Sequence, residues 1–462
     1  MIAKSGGDSS QPWPASVASA PRAVVLRNKP ASPLLSLIVF NFRDNAMTDV
    51  SVAVDKATLG RHPIDQYEPL IGGAAAERIA NKARQLGQAH VIHVNSTFYG
   101  GGVAEILTPL TLMMNALGIA TGWRQIQGTA AFFDCTKKFH NALQGGKVSI
   151  SAAEKAVYEQ VVFENATRLH LDDCDAVVIH DPQPLPLVTN FASRSMPWFW
   201  QCHIDLSTPD PAVWNYLRSF VEQHDLALFS LPEYAKELSV EQGFVPPAID
   251  PFSAKNRELS PREISECLAH HRIPRDRPLV TQISRFDRWK DPLGVIEACR
   301  LARQEVDCTL VLLGNAATDD PEGKIVLETI LNSTDEGVIV ITVDDPVLVN
   351  ALQRESAVVL QKSTREGFGL TVTEAMWKGA VVIGGDVGGI RRQITDGENG
   401  FLVRTPAEAA QRIVQVLRDP TIRQRLGARA QQTVRENFLM SRLVEDWLDL
   451  LATRRRPSGS RA

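Results

Sequence analysis

What most constrains this chain is a repeated alternation of short apolar runs with stretches of helical spacing, arranged in two series. The first series has apolar runs at AHVIHVN (89–95), DAVVIHD (175–181), MPWFWQCH (196–203) and DLALFS (225–230), with helical spacing at 102–117, 153–168 and 212–223. The second has RPLVTQIS (277–284), CTLVLLG (308–314), GVIVIT (337–342), AVVLQ (357–361) and AVVIGG (380–385), with helical stretches at 293–304, 346–355 and 371–378. An apolar run without polar alternation is a strand buried on both faces, and strands alternating with helices make parallel sheets covered on both sides. The predicted fold is therefore α/β: two Rossmann-like βαβ domains facing one another across a cleft lined by the carboxyl ends of both sheets. Residues 1–70, opening on GGDSSQPWPASVASAPRAVV, read as a flexible or peripheral leader. Residues 71–250 form the first domain, the proline-rich VPPAIDPFSAKN (245–256) links it to a second at 257–435, and 436–462 supply an amphipathic helix with a basic tail.

Composition removes several function classes. With 49 Lys and Arg against 53 Asp and Glu, the 462-residue chain has a formal charge of −4 and no overall basic field to collect nucleic acid. Its six cysteines are scattered singly, without a CxxC pair, which speaks against a zinc ribbon, a redox dithiol and a disulfide scaffold and predicts a reduced, cytoplasmic protein. The apolar stretch from Leu34 to Phe40 is far below the roughly 20 residues a bilayer span needs, so no stable membrane insertion is expected. The histidines form no HExxH motif, and DCD (173–175) precedes its strand where a metal–diphosphate signature would follow one. No metal is expected.

Three segments carry residues suited to chemistry. In NSTFYGGGVAEIL, Gly100, Gly101 and Gly102 follow a strand and open a helix; the segment reads equally as a tight turn or as a seat for phosphate at a helix N-terminus. SRFDRWKDP places Arg285 and Lys290 at the carboxyl end of a strand, as a charged loop or a phosphate clamp. TREGFGLTVTEAMWKG holds Glu366 at a strand end and Glu374 eight residues on in a helix, separated by a glycine turn. Carboxylates so placed can accept from two hydroxylated groups, while the amides of Gly367 to Leu370 can donate to oxygens; helix capping by an acidic residue explains Glu374 equally but not the glycines. His203, in WQCHIDLS, is either a core histidine or a cleft residue.

Taken together and in this order, the motifs resemble glycosyltransferase family 4, retaining enzymes of the GT-B fold. HVNSTFYGGGVAEIL, KKFHNALQGG, HDPQPLP, WFWQCHIDLS, SRFDRWKDPLGVIEA and LQKSTREGFGLTVTEAMWKG resemble its trehalose-forming branch, over roughly residues 85–450. The resemblance implies a C-terminal helix crossing back to the first domain. It implies reversible transfer of glucose from a nucleoside diphosphate glucose (UDP-, ADP- or GDP-glucose) to glucose, with no cofactor required. Arg285 and Lys290 would neutralise the departing diphosphate, Glu374 hold ribose, and Glu366 hold the transferred glucose with the amides of Gly367, Phe368, Gly369 and Leu370. His203 would contact the donor sugar, and Gly101 and Gly102 would approach the diphosphate or the acceptor. Acceptor candidates are His140, Asn141, Gln144 and Asp205, chosen as polar tips near the expected cleft. Partners would be small sugars and nucleotide sugars, and a homodimer is compatible with the reading. The alternatives are a trehalose phosphorylase, a family 4 enzyme with another acceptor, and a silent nucleotide-sugar binding protein.

Overall fold

The structure, a computed structural model, describes residues 63–98, 101–314 and 321–454. The leader up to residue 62, Gly100 and the tail from residue 455 lie outside the described residues.

The first sheet contains β1 (His90–Asn95), β2 (Ala120–Gln125), β3 (Ala176–His180), β4 (Trp198–Cys202), β5 (Leu226–Phe229) and β6 (Glu241–Phe244) in the order β2-β1-β3-β4-β5-β6. The second contains β7 (Leu279–Ile283), β8 (Thr309–Gly314), β9 (Val338–Thr342), β10 (Val358–Gln361), β11 (Val382–Gly385) and β12 (Phe401–Val403) in the order β12-β11-β10-β7-β8-β9. Every pairing is parallel. β3, β4, β5, β7, β8 and β10 are buried along their whole length, because helices cover both faces. The two βαβ series predicted from the apolar runs are both present.

Helix starts follow local chemistry. Ser260, Asp291, Asp345, Thr405 and Asp419 each stand before a proline, and the cap side chain accepts from amides of the first turn. The oxygen satisfies orphan amides, and proline at the first position has none to satisfy.

Strand order in each sheet reverses at one place, between β1 and β3 and between β7 and β10. Loops leaving the carboxyl ends of these pairs diverge and leave a crevice. The loops leaving β1, β3, β7 and β10 are the glycine loop, HDPQPLP, SRFDRWK and STREGFG.

The chain crosses between domains twice, side by side. Ile249 N–H donates to the Phe438 carbonyl at 2.9 Å, and Met440 N–H donates to the Ile249 carbonyl at 2.9 Å. The C-terminal helix, Met440–Arg454, then packs on the first domain: Leu443, Val444, Trp447 and Leu448 share one buried cluster with Val91, Val178 and Phe199. The predicted return of this helix is thus observed. The leader expected to run to residue 70 differs at its end: Pro63–Ile71 is a helix, with Ile64 and Tyr67 buried and the Tyr67 hydroxyl donating to Asp250 Oδ1 at 2.9 Å. The helix holds a proline at 69 and only nine residues, too little periodicity to stand out from a Pro-rich leader.

Candidate active site

The loops after β7 and β10 are cross-linked. Lys290 Nζ donates to Glu366 Oε2 at 2.5 Å, and Ser363 Oγ donates to the same oxygen at 3.1 Å. Gln282, inside β7, holds the Lys290 carbonyl at 2.7 Å, and Thr364 N–H donates to the Trp289 carbonyl at 2.8 Å. Lys362 pairs with Asp291, which caps the helix Pro292–Ala302. Arg285 is half exposed and, among the described residues, has only a loose ion pair, 3.7 Å from Asp287 Oδ2. Of the two predicted cations, one is therefore fixed on Glu366 and the other is extended toward solvent.

The glycine turn after Glu366 is held from both domains. Tyr234, from the first domain, donates through its hydroxyl to the carbonyls of Glu366 (2.8 Å) and Gly367 (3.0 Å). A methyl group at Gly367 would lie 2.0 Å from the His203 carbonyl oxygen, so absence of a side chain lets the turn touch the opposite domain. Gly369 has φ +88° and precedes the helix Leu370–Trp377. Among the described residues, the N–H groups of Gly367, Phe368, Gly369 and Leu370 have no acceptor. Four open amides at a helix start form a positive concavity. The Phe368 side chain itself is buried against Phe438, leaving only its backbone for a ligand. Glu374 is buried one turn further on, and its charge acts on Lys255 and Lys378. Lys378 donates to Asn256 Oδ1, Gln353 Oε1 and the Glu374 carbonyl, and burial pushes its ammonium down to about 7.

From the first domain, Gly101 (φ +89°) caps the helix Gly102–Ala116. A methyl at Gly102 would meet Leu370 Cδ1 at 3.4 Å, so the two helix starts face each other. His203 N–H donates to Asp181 Oδ1 at 2.7 Å, and burial pushes the Asp181 carboxyl up to about 7. His203 Nε2 lies 3.0 Å from His180 Nδ1, and its Nδ1 is buried with no partner among the described residues. Burial pushes the His203 ring down to about 4, so it is neutral at physiological pH.

The acceptor candidates divide. His140 is pushed down to about 3 by burial, with Arg285, Lys137 and Lys290 adding repulsion, which places it against the cationic loop. Gln144 Nε2 is 3.3 Å from the His140 ring nitrogens, and Asn141 Oδ1 is buried without a partner among the described residues. Asp205 is already occupied: its Oδ1 accepts from Ser207 N–H (2.9 Å) and Oγ (2.5 Å), and Arg365 Nη1 donates to Ser207 Oγ at 2.9 Å.

Sequence reasoning passed over Asp181, Tyr234, Lys255 and Glu105. Asp181 stood in the HDPQPLP motif, Glu105 in NSTFYGGGVAEIL and Lys255 in the linker VPPAIDPFSAKN, where they could have been weighed; Tyr234 lies outside every motif. Lys255 Nζ donates to Glu105 Oε1 at 2.5 Å across the linker. DCD serves as a strand cap, with His90 N–H donating to Asp175 Oδ2 at 2.8 Å. Among the described residues no group of three His, Cys, Asp or Glu is gathered as a metal ion would need, and no helix is long and apolar enough to cross a membrane.

Two family models match: the trehalose synthase N-terminal domain over residues 93–236, and glycosyl transferases group 1 over residues 264–433. A trehalose synthase of Pyrococcus horikoshii is 43% identical over 407 residues, covering 86% of this chain and 98% of that one. A trehalose phosphorylase of Pleurotus pulmonarius is 25% identical, and the alignment spans 75% of this chain but only 54% of that protein. In fold, the chain is similar to a UDP-forming α,α-trehalose-phosphate synthase from Burkholderia xenovorans (TM-score 0.65, 16% identity, covering 80% of this chain and all of that one). The paired parallel sheets are those of GT-B glycosyltransferases, and the chain belongs to the trehalose synthase family of glycosyltransferases.

Proposed function

We propose that the chain moves glucose from a nucleoside diphosphate glucose to free glucose, with retention at the anomeric carbon, and so forms or cleaves trehalose. The observation that carries this reading is the Lys290–Glu366 pair beside a row of open amides, facing His203 and Gly102 across the cleft. An ammonium and four amide donors suit a diphosphate that gains charge as it leaves. The Glu366 carboxylate, held by Lys290 and Ser363, keeps lone pairs for sugar hydroxyls.

In this reading the donor lies on the second domain (257–435) and the acceptor on the first (71–250). Arg285 is the mobile member of the phosphate clamp, swinging in from its loose contact with Asp287. Glu374 takes the ribose, Gly101 and Gly102 approach the diphosphate, and His203 meets the donor sugar. His140, Asn141 and Gln144 bind the acceptor. Asp205 acts mainly through the Ser207 turn, since its Oδ1 is already engaged.

Retention by front-face attack, with a leaving phosphate oxygen accepting the acceptor's proton, asks for no carboxylate nucleophile, unlike retaining glycosidases. Two of the carboxylates assigned to the cleft, Glu366 and Asp205, are tied down by hydrogen bonds, which supports that route. The 43% identity to a trehalose synthase, against 25% to the phosphorylase, favours the synthase reading over phosphorolysis.

The test is incubation of the protein with glucose and each of UDP-, ADP- and GDP-glucose, with the disaccharide linkage read by NMR. The α,α-1,1 product is expected from at least one donor. No product from any donor, together with glucose 1-phosphate released from trehalose and inorganic phosphate, would replace this reading by phosphorolysis.

A further inference from the structure

Three neighbouring strands of the first sheet each carry a histidine in or just past their carboxyl-terminal half. His93 lies on β1, His180 closes β3 and His203 follows β4. Their rings form one hydrogen-bonded row: His93 Nδ1 is 2.9 Å from His180 Nε2, and His180 Nδ1 is 3.0 Å from His203 Nε2. Both ring pairs are stacked, with centroids 5.2 and 5.3 Å apart. His93 and His180 are each 1% exposed, and their strand neighbours Ile92, Val94 and Ile179 are buried aliphatic residues. At the inner end, Trp447 of the C-terminal helix meets His93 edge to face at 5.3 Å. At the outer end stands His203 Nδ1, buried and unpartnered among the described residues.

An apolar sheet interior gains nothing from three imidazoles unless they satisfy one another, since each unpaired polar atom costs its desolvation. Here every shared nitrogen is paired, and the row's buried atom without a partner among the described residues, His203 Nδ1, sits at the cleft end. Burial keeps all three rings neutral, so each carries a single N–H. Only two arrangements then satisfy both bonds. In one, His93 Nδ1–H donates to His180 Nε2 and His180 Nδ1–H donates to His203 Nε2, leaving His203 with Nδ1–H. In the other every proton is reversed, and His203 is left with a bare Nδ1.

We propose that His93 and His180 are positioning residues that lock His203 in the Nδ1–H tautomer, so that it meets its ligand as a hydrogen-bond donor. The choice of direction rests on the transfer reading above, because the oxygens of a nucleotide sugar's phosphates and hydroxyls offer acceptors to that atom. The lock couples the crossing helix to the cleft, because Trp447 closes the row's inner end. His180 and His93 need not touch the substrate for the effect to operate.

The test is the 15N chemical shifts of histidine-labelled protein without ligand, which report tautomers without any turnover. Wild-type His203 is expected to show a single tautomer, protonated at Nδ1. In His180→Phe, His203 is expected to mix tautomers. Its kcat should fall about 10–100-fold, with the donor KM within about threefold. His93→Phe, one ring further from the cleft, should give the same signature more weakly, and it serves if His180→Phe fails to fold. Wild-type His203 protonated at Nε2, or already mixed, overturns the proposal, as does a single Nδ1–H signal with unchanged kcat in the foldable variant. Failure of trehalose formation with the locked tautomer intact would instead remove the transfer reading and leave the lock standing.

Discussion

Substituting Gly367 by alanine puts the domain contact to a direct test. Gly367 is absent from the residues with positive φ, so only space demands glycine there. The added methyl would sit 2.0 Å from the His203 carbonyl oxygen and 3.2 Å from its carbon. An ordinary C···O contact is about 3.3–3.6 Å, so the turn or the opposite strand end must retreat by about 1.3–1.6 Å. Neither yields easily. His203 is anchored through its N–H to Asp181 at 2.7 Å, and the turn hangs on the Tyr234 hydroxyl by bonds of 2.8 and 3.0 Å. The retreat therefore separates Glu366 and its amides from His203. A misplacement of about 1 Å can cost about 100-fold in rate, and overpacking costs about 1–3 kcal/mol in stability. Steady-state transfer to glucose should show kcat lower by about 100-fold, while calorimetric affinity for the free nucleoside diphosphate, assigned mainly to the second domain, which moves as a unit with its turn, stays within about threefold. Gly87→Ala is the control, since its φ of +62° imposes backbone strain far from the cleft with nothing within 4 Å of the methyl. A Gly367→Ala protein with kcat within threefold of wild type would refute the packed contact.

Among the described residues, Lys290→Met leaves Glu366 with Ser363 as its only side-chain partner; kcat/KM should fall about 100–1,000-fold, and steady-state rates equal to wild type would remove Lys290 from the chemistry. Tyr234→Phe deletes the hydroxyl that tethers both turn carbonyls and should lower stability by about 1–2 kcal/mol in urea melts, an unchanged midpoint counting against the tether. Acid should weaken the fold below about pH 6.5. Burial holds His93 and His140 at about 3, His203 and His224 at about 4, and His180 well below its ordinary value, so the unfolded chain binds protons there that the native chain does not. Asp181, raised to about 7, opposes this by one proton, since its native form stays protonated where the unfolded one does not. The net sign is stability rising with pH, by about 1.4 kcal/mol per unit for each proton of difference; a urea midpoint at about pH 5.5 no lower than at about pH 7 would contradict it.

The fold class was written in the residues themselves. Nine of the twelve strands lie in short apolar runs visible in the chain, because a strand covered on both faces must be apolar throughout. The three that escaped are ATGWRQ, EQGF and FLV, and each is the edge of a sheet or close to one. An edge strand is half solvated or very short, so its composition resembles that of a loop. The short helix Pro63–Ile71, which holds a proline at 69, was obscured for a similar reason, whereas proline itself marked the linker.

For the site, the chain alone named Arg285, Lys290, Glu366, the glycine turn and Glu374, because strand ends followed by glycines and charges mark where loops meet a ligand. It could not say that Lys290 rests on Glu366 while Arg285 is held only loosely by Asp287 among the described residues, or that Gly367 is glycine on account of His203, 164 positions earlier in the chain. Nor could it join His93, His180 and His203, whose rings meet only because β1, β3 and β4 are neighbours in the sheet. Local propensity and burial act over a few residues and are legible in them. Contacts between loops of different strands depend on strand order and on two interdomain crossings, and no short stretch of sequence contains either.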